Sequence, residues 1–378
     1  VSAENGSGAR IHVVRFAPAK LNLTLAVVGR RRDGYHDLHS VMVPLSLGDA
    51  LTVSSAPPGS ARDSLRVTGL PMTSAADNLV LRAIVATRAA LAAARPGVRA
   101  SAPWLAARLA KRVPVAAGLG GGSSDAAAAI DAALAAWGAE LDRDAIAALA
   151  ASLGSDVPFF LARGAALVTG RGEFVEPLPE IAGEPPAVLL VTPQLPLATP
   201  AVFEAYVGGA RQADAGLARD TSERLAAEMK AGLTAVRLLA IAEELSAAND
   251  LLAAAASIVP GFRGFIDTLE RLVRRPVCQS GSGPTLWSLY PSLAEARKAA
   301  RFVRQAAING TLPLVGIGEP FIAATTIAGG TPLTRARSSD GATDAIGPRT
   351  VHNVFDADRR RRVEPAVDHG ETKGEDPR

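Results

Sequence analysis

Cysteine is nearly absent. The one thiol in 378 residues, Cys278, excludes an internal disulfide and any multi-cysteine metal centre, and reads most simply as a small buried hydrophobe. Aromatic residues are scarce at 4%. Aliphatic side chains must therefore build the core, and a base-stacking surface for single-stranded nucleic acid has little to be made from. No charge-free apolar run reaches the roughly 18 residues that a membrane-spanning helix needs. The opening stretch, VSAENGSGAR, has no apolar signal-peptide core. A strong charge of one sign is missing too: 40 Lys and Arg stand against 37 Asp and Glu, a net +3. That balance suits an anionic small-molecule ligand and does not require nucleic acid or a membrane. The expectation from these absences is a cytoplasmic globular enzyme.

What remains is rich in alanine and 48% hydrophobic, with length enough for two domains. Strand patterns, marked by β-branched residues and punctuating glycines, fall at 11–28 with an interruption at 17–20, at 40–47 and 50–54 joined through Gly48 and Asp49, and at 64–68. Helical patterns follow at 78–94, 123–137 and 143–152. Segment 99–111 is ambiguous, since APWLAARLAKR reads partly helical. VPFFLARGAALVT reads as a turn, a buried segment and a strand. Further on come a strand at 187–192 and a glycine- and charge-rich connection at 208–219. Helices are predicted at 221–230, 233–246, 250–258 and 262–274. A strand, glycine turn and strand occupy 276–290, and a helix at 293–306 and a strand at 320–328 complete the pattern. From residue 331 the composition turns polar, with nine Lys or Arg and nine Asp or Glu. A disordered, solvated tail is expected there, arginines 359–362 included.

The segment PVAAGLGGGSSDAAAAI, from Pro114, needs a reason, because glycine is costly to order and poor inside helices. Glycines let backbone N–H groups converge on a ligand, and a following helix adds its own unpaired N–H groups and partial positive end. The segment suits a phosphate tail; a plain glycine turn capped by Ser123 or Ser124 is the alternative. No lysine follows Gly122, so this is not a Walker loop, and the spacing does not fit a dinucleotide fingerprint. Another group must meet the phosphate charge. In APAKLNLTL, alternation puts Lys20 and Asn22 on one face of a strand and Leu21 and Leu23 on the other. In GSDVPFFL, Asp156 borders an apolar cluster, where a carboxylate is expensive unless paired or used. Lys20 is a candidate partner for it. A solvated lysine and a turn-capping aspartate are the alternatives.

These segments carry a family resemblance. The glycine–serine loop resembles the phosphate loop of the GHMP kinases. FAPAKLNLTLAVVGRRRDGYHDLHSVM, LGSDVPFFL, the AND at 248–250 and QSGSGPTLWSLY resemble one branch of them, the family of 4-diphosphocytidyl-2-C-methyl-D-erythritol kinases. The motifs stand in the family's order over residues 16–290. The resemblance implies an α/β (α+β) GHMP kinase fold, with an N-terminal α/β domain (1–180) packed on a C-terminal ferredoxin-like domain (181–330). It implies ATP as phosphoryl donor, arriving with Mg2+, and a cytidyl diphosphate alcohol as acceptor, phosphorylated on its 2-hydroxyl. Asp156 would act as base or orienting carboxylate and Lys20 as its counter-ion. Gly118, Leu119, Gly120, Gly121, Gly122, Ser123 and Ser124 would hold the triphosphate, with Asn78 on the adenine side and Pro114 also at the nucleotide. Asn22, Tyr35 and His36 would meet the alcohol and its cytidine, with Phe203 supplying a second aromatic face and Thr199 also at the substrate. The turn SGSGPT, 280–285, would face the same cleft. No protein metal ligand stands out; Asp125 is explained as well by helix capping or the helix dipole.

The alternatives are another GHMP kinase, acting on mevalonate or homoserine, and a non-enzymatic protein with a decayed kinase fold. DGYH together with GSDVPFFL argues against the first, and the intact loop with Lys20 and Asp156 against the second. A monomer or homodimer is compatible with the sequence.

Overall fold

Strand β1 (His12–Asn22) alternates between buried and more exposed side chains before becoming wholly buried, the burial pattern of a strand with one face on a core. The computed structural model describes residues 12–71, 78–94, 102–195, 197–209, 216–329 and 335–336. The interruption expected at 17–20 is a bulge, where the register against the neighbouring strand slips between Pro18 and Lys20. Proline has no N–H to give the ladder, and a bulge is one of the places where sheets tolerate it.

After β2 (Ala26–Arg30), strand β3 (His36–Ser55) runs for 20 residues. It passes through Gly48 and Asp49, where a break was expected. Gly48 is there for close packing: a Cβ on it would lie 2.5 Å from both the Ala17 carbonyl oxygen and the Phe16 ring. Next come β4 (Ser64–Gly69), α1 (Leu79–Ala94), β5 (Leu105–Lys111), α2 (Gly121–Trp137), α3 (Arg143–Leu153), α4 (Val157–Ala162), β6 (Ala166–Gly170) and β7 (Phe174–Pro177). Among the described residues these strands and one later strand form an eight-stranded sheet. In it the first part of β3 pairs β2 and β6 and the last part pairs β5, β1 runs along β3 from Met42 to Ser54, and β4 joins β5 in parallel.

The partly helical reading within 99–111 gives way to β5. Alanine favours helix, but here Leu105, Ala107, Leu109 and Lys111 are buried and the residues between them are more open. Two flanking strands supply the backbone partners, so tertiary pairing overrides propensity. Helix α2 shows the opposite use of alanine. Ala126 to Ala129, Ile130, Ala132 and Ala133 are all at most 1% exposed. A helix apolar on nearly every side must be buried, and small side chains let it lie close to the sheet and to α1.

The second sheet is built from β8 (Ala187–Thr192), β9 (Cys278–Gln279), β10 (Leu286–Tyr290) and β11 (Phe321–Thr326). All its pairings are antiparallel and the order is β11-β8-β10-β9. Numbered within this sheet, that order is 4-1-3-2, the ferredoxin-like arrangement. Between β8 and β9 lie α5 (Thr199–Val207), α6 (Leu217–Lys230), α7 (Ala235–Ala240), α8 (Ala242–Ser246), α9 (Leu252–Ile258) and α10 (Phe262–Val273); α11 (Leu293–Ile308) links β10 to β11. The helix expected over 233–246 is two, parted at Ile241. Helix α5 and strand β7 had no sequence expectation. Cys278 is buried, and burial raises its thiol pKa.

Strand β12 (Arg335–Ala336) pairs with Val13 and Val14 of β1. The tail expected to be disordered from 331 thus contains a short piece of sheet. The rest of that expectation, arginines 359–362 included, lies outside the described residues, as do residues 210–215 of the expected connection. Among the described residues no helix is long and apolar enough to cross a membrane.

Candidate active site

The glycine–serine loop joins β5 to α2. Gly120, with φ +67°, occupies the N-cap of α2 and no side chain caps the helix. Ser123 and Ser124 are therefore not caps: the helix begins at Gly121, two residues before the first of them, inside the glycine run. Its first N–H groups have no partner within the helix and point out of its N-terminus; the Ser124 N–H donates to the Gly120 carbonyl at 2.9 Å.

A second glycine turn, between β9 and β10, locks onto this loop. The Thr285 N–H donates to the Ala117 carbonyl at 3.2 Å, and the Ser280 hydroxyl donates to the Gly118 carbonyl at 2.9 Å. A Cβ on Gly118, whose φ is +80°, would stand 2.2 Å from the Ser280 carbonyl oxygen, and one on Gly283 would stand 2.3 Å from the Gly118 nitrogen. Two backbones approach here as only glycine permits.

Lys20 reaches this cradle from β1. It is 3% exposed, and its Nζ lies 3.7 Å from Asp156 Oδ2. Asp156 begins α4 yet makes no side-chain cap to it. The capping alternative for Asp156 and the solvated alternative for Lys20 both fail on this geometry. A Cβ on Gly120 would come within 3.0 Å of Lys20 Cγ, so the glycine also leaves room for the lysine stem.

These groups line one cleft of about 1210 Å³, together with Asn22, Tyr35, His36, Asn78, Pro114, Gly121, Gly122, Ser123, Thr199 and Phe203. Residues 78–164 match the GHMP kinases N terminal domain family. A 4-diphosphocytidyl-2-C-methyl-D-erythritol kinase of Paramagnetospirillum magneticum is 40% identical over 290 residues, covering 75% of this chain and 91% of the relative. One of Deinococcus radiodurans is 39% identical over 77% of this chain and 88% of its own. The chain belongs to the 4-diphosphocytidyl-2-C-methyl-D-erythritol kinase family. A solved 4-(cytidine 5'-diphospho)-2C-methyl-D-erythritol kinase superposes with TM-score 0.57 at 31% identity, over 83% of this chain and 99% of that one. A homoserine kinase from Cytophaga hutchinsonii, at 17% identity and TM-score 0.56, shares the fold alone.

Two residues that the family resemblance put at the phosphates do not line the cleft. Leu119 is fully buried and packs in the core; only its carbonyl takes part, accepting from the Lys20 N–H at 2.9 Å. Ser124 is 1% exposed and its hydroxyl has no partner among the described residues. It sits one residue further along the helix than Ser123, on a side turned into the protein. Asn78 lines the cleft and also holds the start of α1, where its Oδ1 accepts from the Val80 N–H at 2.8 Å.

The far end of the cleft is made of side chains on separate elements. Tyr35 and His36 stand at the hairpin between β2 and β3, turned by Gly34 at φ +88°. Tyr35 is 53% exposed, with the Arg171 guanidinium 5.3 Å from its ring centre. His36 stacks on Phe203 of α5 at 4.9 Å and 18°. Burial, aided by the charge of Arg30, lowers the His36 pKa, and its Nε2 has no partner among the described residues.

Sequence reasoning missed the support behind Lys20 and Asn22. Lys20 Nζ donates to Asn22 Oδ1 at 2.6 Å, Asn22 Nδ2 donates to Ser40 Oγ at 2.8 Å, and Ser40 Oγ donates to the Thr24 carbonyl at 2.6 Å. The polarity is forced from the far end. Ser40 spends its one hydrogen on a carbonyl and must accept from Asn22. The amide oxygen of Asn22 is thereby turned toward the lysine. Ser40 lies in an ordinary strand pattern and nothing local marks it.

Asn249 of the AND segment has a similar duty. Its Nδ2 donates to the carbonyls of Gln279 and Gly281 at 3.1 and 3.0 Å, which fixes the second glycine turn. A further cluster, Asp49, Lys111 and Asp125, lies behind the phosphate loop. Lys111 Nζ donates to Asp125 Oδ2 at 2.7 Å and to Asp49 Oδ2. Burial pushes the Asp125 carboxyl up to about 7; Lys111 opposes this and Asp49 adds to it. Burial disfavours the charged form of Lys111, but the two carboxylates outweigh it and raise its pKa.

Proposed function

We propose that this chain transfers the γ-phosphoryl group of ATP to the 2-hydroxyl of 4-diphosphocytidyl-2-C-methyl-D-erythritol, giving the 2-phosphate and ADP, a step of the non-mevalonate route to isoprenoid precursors. One observation carries the reading. The Lys20–Asp156 pair sits beside the glycine cradle, in a cleft whose other end holds Tyr35, His36 and Phe203.

The backbone N–H groups of Gly121, Gly122 and Ser123 hold the triphosphate at the start of α2, with Gly118 and Gly120 giving the loop its shape. Pro114 and Asn78 border the nucleotide on the adenine side. Magnesium enters as the ATP complex and neutralises phosphate charge. Among the described residues no group of three or more His, Cys, Asp and Glu side chains is placed to hold a metal.

Asp156 orients the acceptor hydroxyl and takes its proton as the new bond forms. Lys20 pairs with Asp156 at 3.7 Å and offsets charge on the moving phosphoryl group. Asn22 fixes Lys20 and borders the reacting end of the alcohol. Tyr35 and Phe203 offer aromatic faces to the cytosine, His36 a hydrogen bond to its edge, and Thr199 a polar contact nearby. Such a division suits phosphoryl transfer, which asks mainly for in-line placement and electrostatic stabilisation.

The same reading takes residues 1–180 and 181–330 as the two domains and a monomer or homodimer in the cytoplasm as the working form. The test is purified protein with Mg-ATP and the diphosphocytidyl alcohol, compared with mevalonate and homoserine. Turnover of the cytidyl alcohol alone is the expected result; preference for either of the others overturns the assignment.

A further inference from the structure

The cluster behind the phosphate loop has a surplus of negative groups. Asp49, Lys111 and Asp125 are 0%, 4% and 3% exposed, so two carboxyl groups share one ammonium where water cannot screen them. The cluster touches the loop at both ends. Asp49 Oδ1 accepts from the N–H groups of Arg112 and Val113, the latter at 2.9 Å, where β5 leads into the loop. Asp125 stands in the second turn of α2, where the loop has become helix. Lys111 Nζ lies between them, and a Cβ on Gly121 would be 3.4 Å from it.

The two carboxyl groups differ in their partners. Asp49 has both oxygens satisfied, by the lysine and by two backbone donors. Asp125 has one oxygen on Lys111 and the other, Oδ1, with no partner among the described residues. An uncompensated buried carboxylate is expensive and takes up a proton, and the less-satisfied of the pair takes it first. The cost is greater here because Lys111 and Asp125 line the cleft where the proposed function puts a triphosphate.

We propose that Asp49, Lys111 and Asp125 form a positioning brace for the nucleotide, in which Asp125 works as a neutral carboxyl group. The brace ties both ends of the phosphate loop to one ammonium and presents no net charge to the phosphates. Lys111 from β5 and Asp49 from β3 are the charged groups facing Asp125. Elsewhere on the elements around it, Lys20 pairs with Asp156 and Arg15 with Asp131, which also holds Arg163. The upward displacement of the Asp125 carboxyl to about 7 agrees with a proton that is retained near neutrality and lost above it. Ionisation then puts a bare negative charge behind the loop.

This inference rests on the reading of the loop as the ATP site, and binding measurements separate the two. Mg-ATP affinity of the full chain, without the alcohol, is measured by calorimetry between about pH 6 and about pH 8.5, on either side of the ionisation. Wild-type affinity is expected to fall by about tenfold as pH rises, the cost of one like charge close to the phosphates. Asp125→Asn, neutral at every pH, is expected to lose that dependence. Lys111→Met is expected to weaken binding by about tenfold or more, because it strands the Asp49 charge behind the loop, and adding Asp125→Asn to it to change the affinity little, since Asp125 already holds its proton. A purely structural brace gives a greater loss in the double variant.

Flat wild-type affinity across the range overturns the neutral-carboxyl role. So does an Asp125→Asn protein that binds about tenfold more weakly at every pH, because the ionised group is then the useful one. Wild-type protein that fails to bind Mg-ATP at any pH overturns the loop reading and this inference together. Should the Lys111 variant not fold, the wild-type and Asp125→Asn profiles decide alone. Carbon-13 NMR of the Asp125 carboxyl then reads the proton directly.

Discussion

The two ends of the cleft are built from different materials. At the end proposed for the phosphates the lining is backbone: glycines at φ +80° and +67°, a bare helix start, and two loops so close that a single Cβ would collide. At the end proposed for the base the lining is side chains, from the hairpin at Tyr35 and His36 and from Phe203 on α5, with Tyr35 more than half exposed. The difference follows from the ligand. A phosphate is the same anion in every substrate, and fixed N–H groups recognise it with little reorganisation. A pyrimidine has two apolar faces and one polar edge, so its site needs rings and one hydrogen-bonding group, which any fold can supply from scattered positions.

Substitutions can break that contrast or sharpen it. The largest effect is expected where the two ends meet. Asp156→Asn should lower kcat by about 10³-fold, within the range for a general base, with the melting temperature nearly unchanged; turnover close to wild type would remove Asp156 from the chemistry. Gly118→Val is next. It demands a left-handed backbone and drives a side chain into the Ser280 carbonyl, so loss of measurable Mg-ATP binding is expected, with about 2 kcal/mol or more of stability.

Tyr35→Ala should act at the other end only. Loss of one base–aromatic stack, about 1–3 kcal/mol, raises KM for the cytidyl alcohol roughly 10- to 100-fold and leaves KM for ATP in place. A shift in the ATP value would show that the ends are not independent. Ser40→Ala is milder. It frees Asn22 to turn its amide away from Lys20, at a cost of one buried hydrogen bond, about 1 kcal/mol. A fall in kcat of about fivefold without change in either KM is expected, with recovery in Ser40→Thr. The smallest effect concerns His36. Burial lowers its pKa from the ordinary 6.5, so the ring is neutral at pH 7 and gains its proton only on acidification below that value. KM for the alcohol should therefore be flat down to about pH 6.5 and change only below it, and His36→Ala should abolish the change.

Legibility in the sequence tracks this same divide. The run from Gly118 to Ser124 was readable because glycine clusters are rare without cause. Lys20 and Asp156 were readable as candidates because charge beside apolar segments is costly. What misled was composition: alanine made β5 look helical, and Gly48 looked like a turn when it marks two strands in close approach. The start of α2 was placed at the serines because Ser is a common N-cap, yet Gly120 holds that position. Ser40, Lys111 and Asp49 carried no local signal, and Asn249 was marked only as part of the AND segment. Each is an ordinary residue in an ordinary pattern, given its duty by a partner between 14 and 62 residues away.

By itself the sequence determined the family, most of the order of elements, the glycine cradle and the candidate pair Lys20 and Asp156, since each of these is written in consecutive residues whose backbone freedom or charge is local chemistry. Only the tertiary structure decided that Asp156 faces Lys20 and does not cap its helix, that Asn22 presents its oxygen, and that two carboxyl groups must share one buried ammonium. Those facts are distances and burial, and they exist only once β1, β3, β5 and α2 have packed and removed the water that would otherwise screen them.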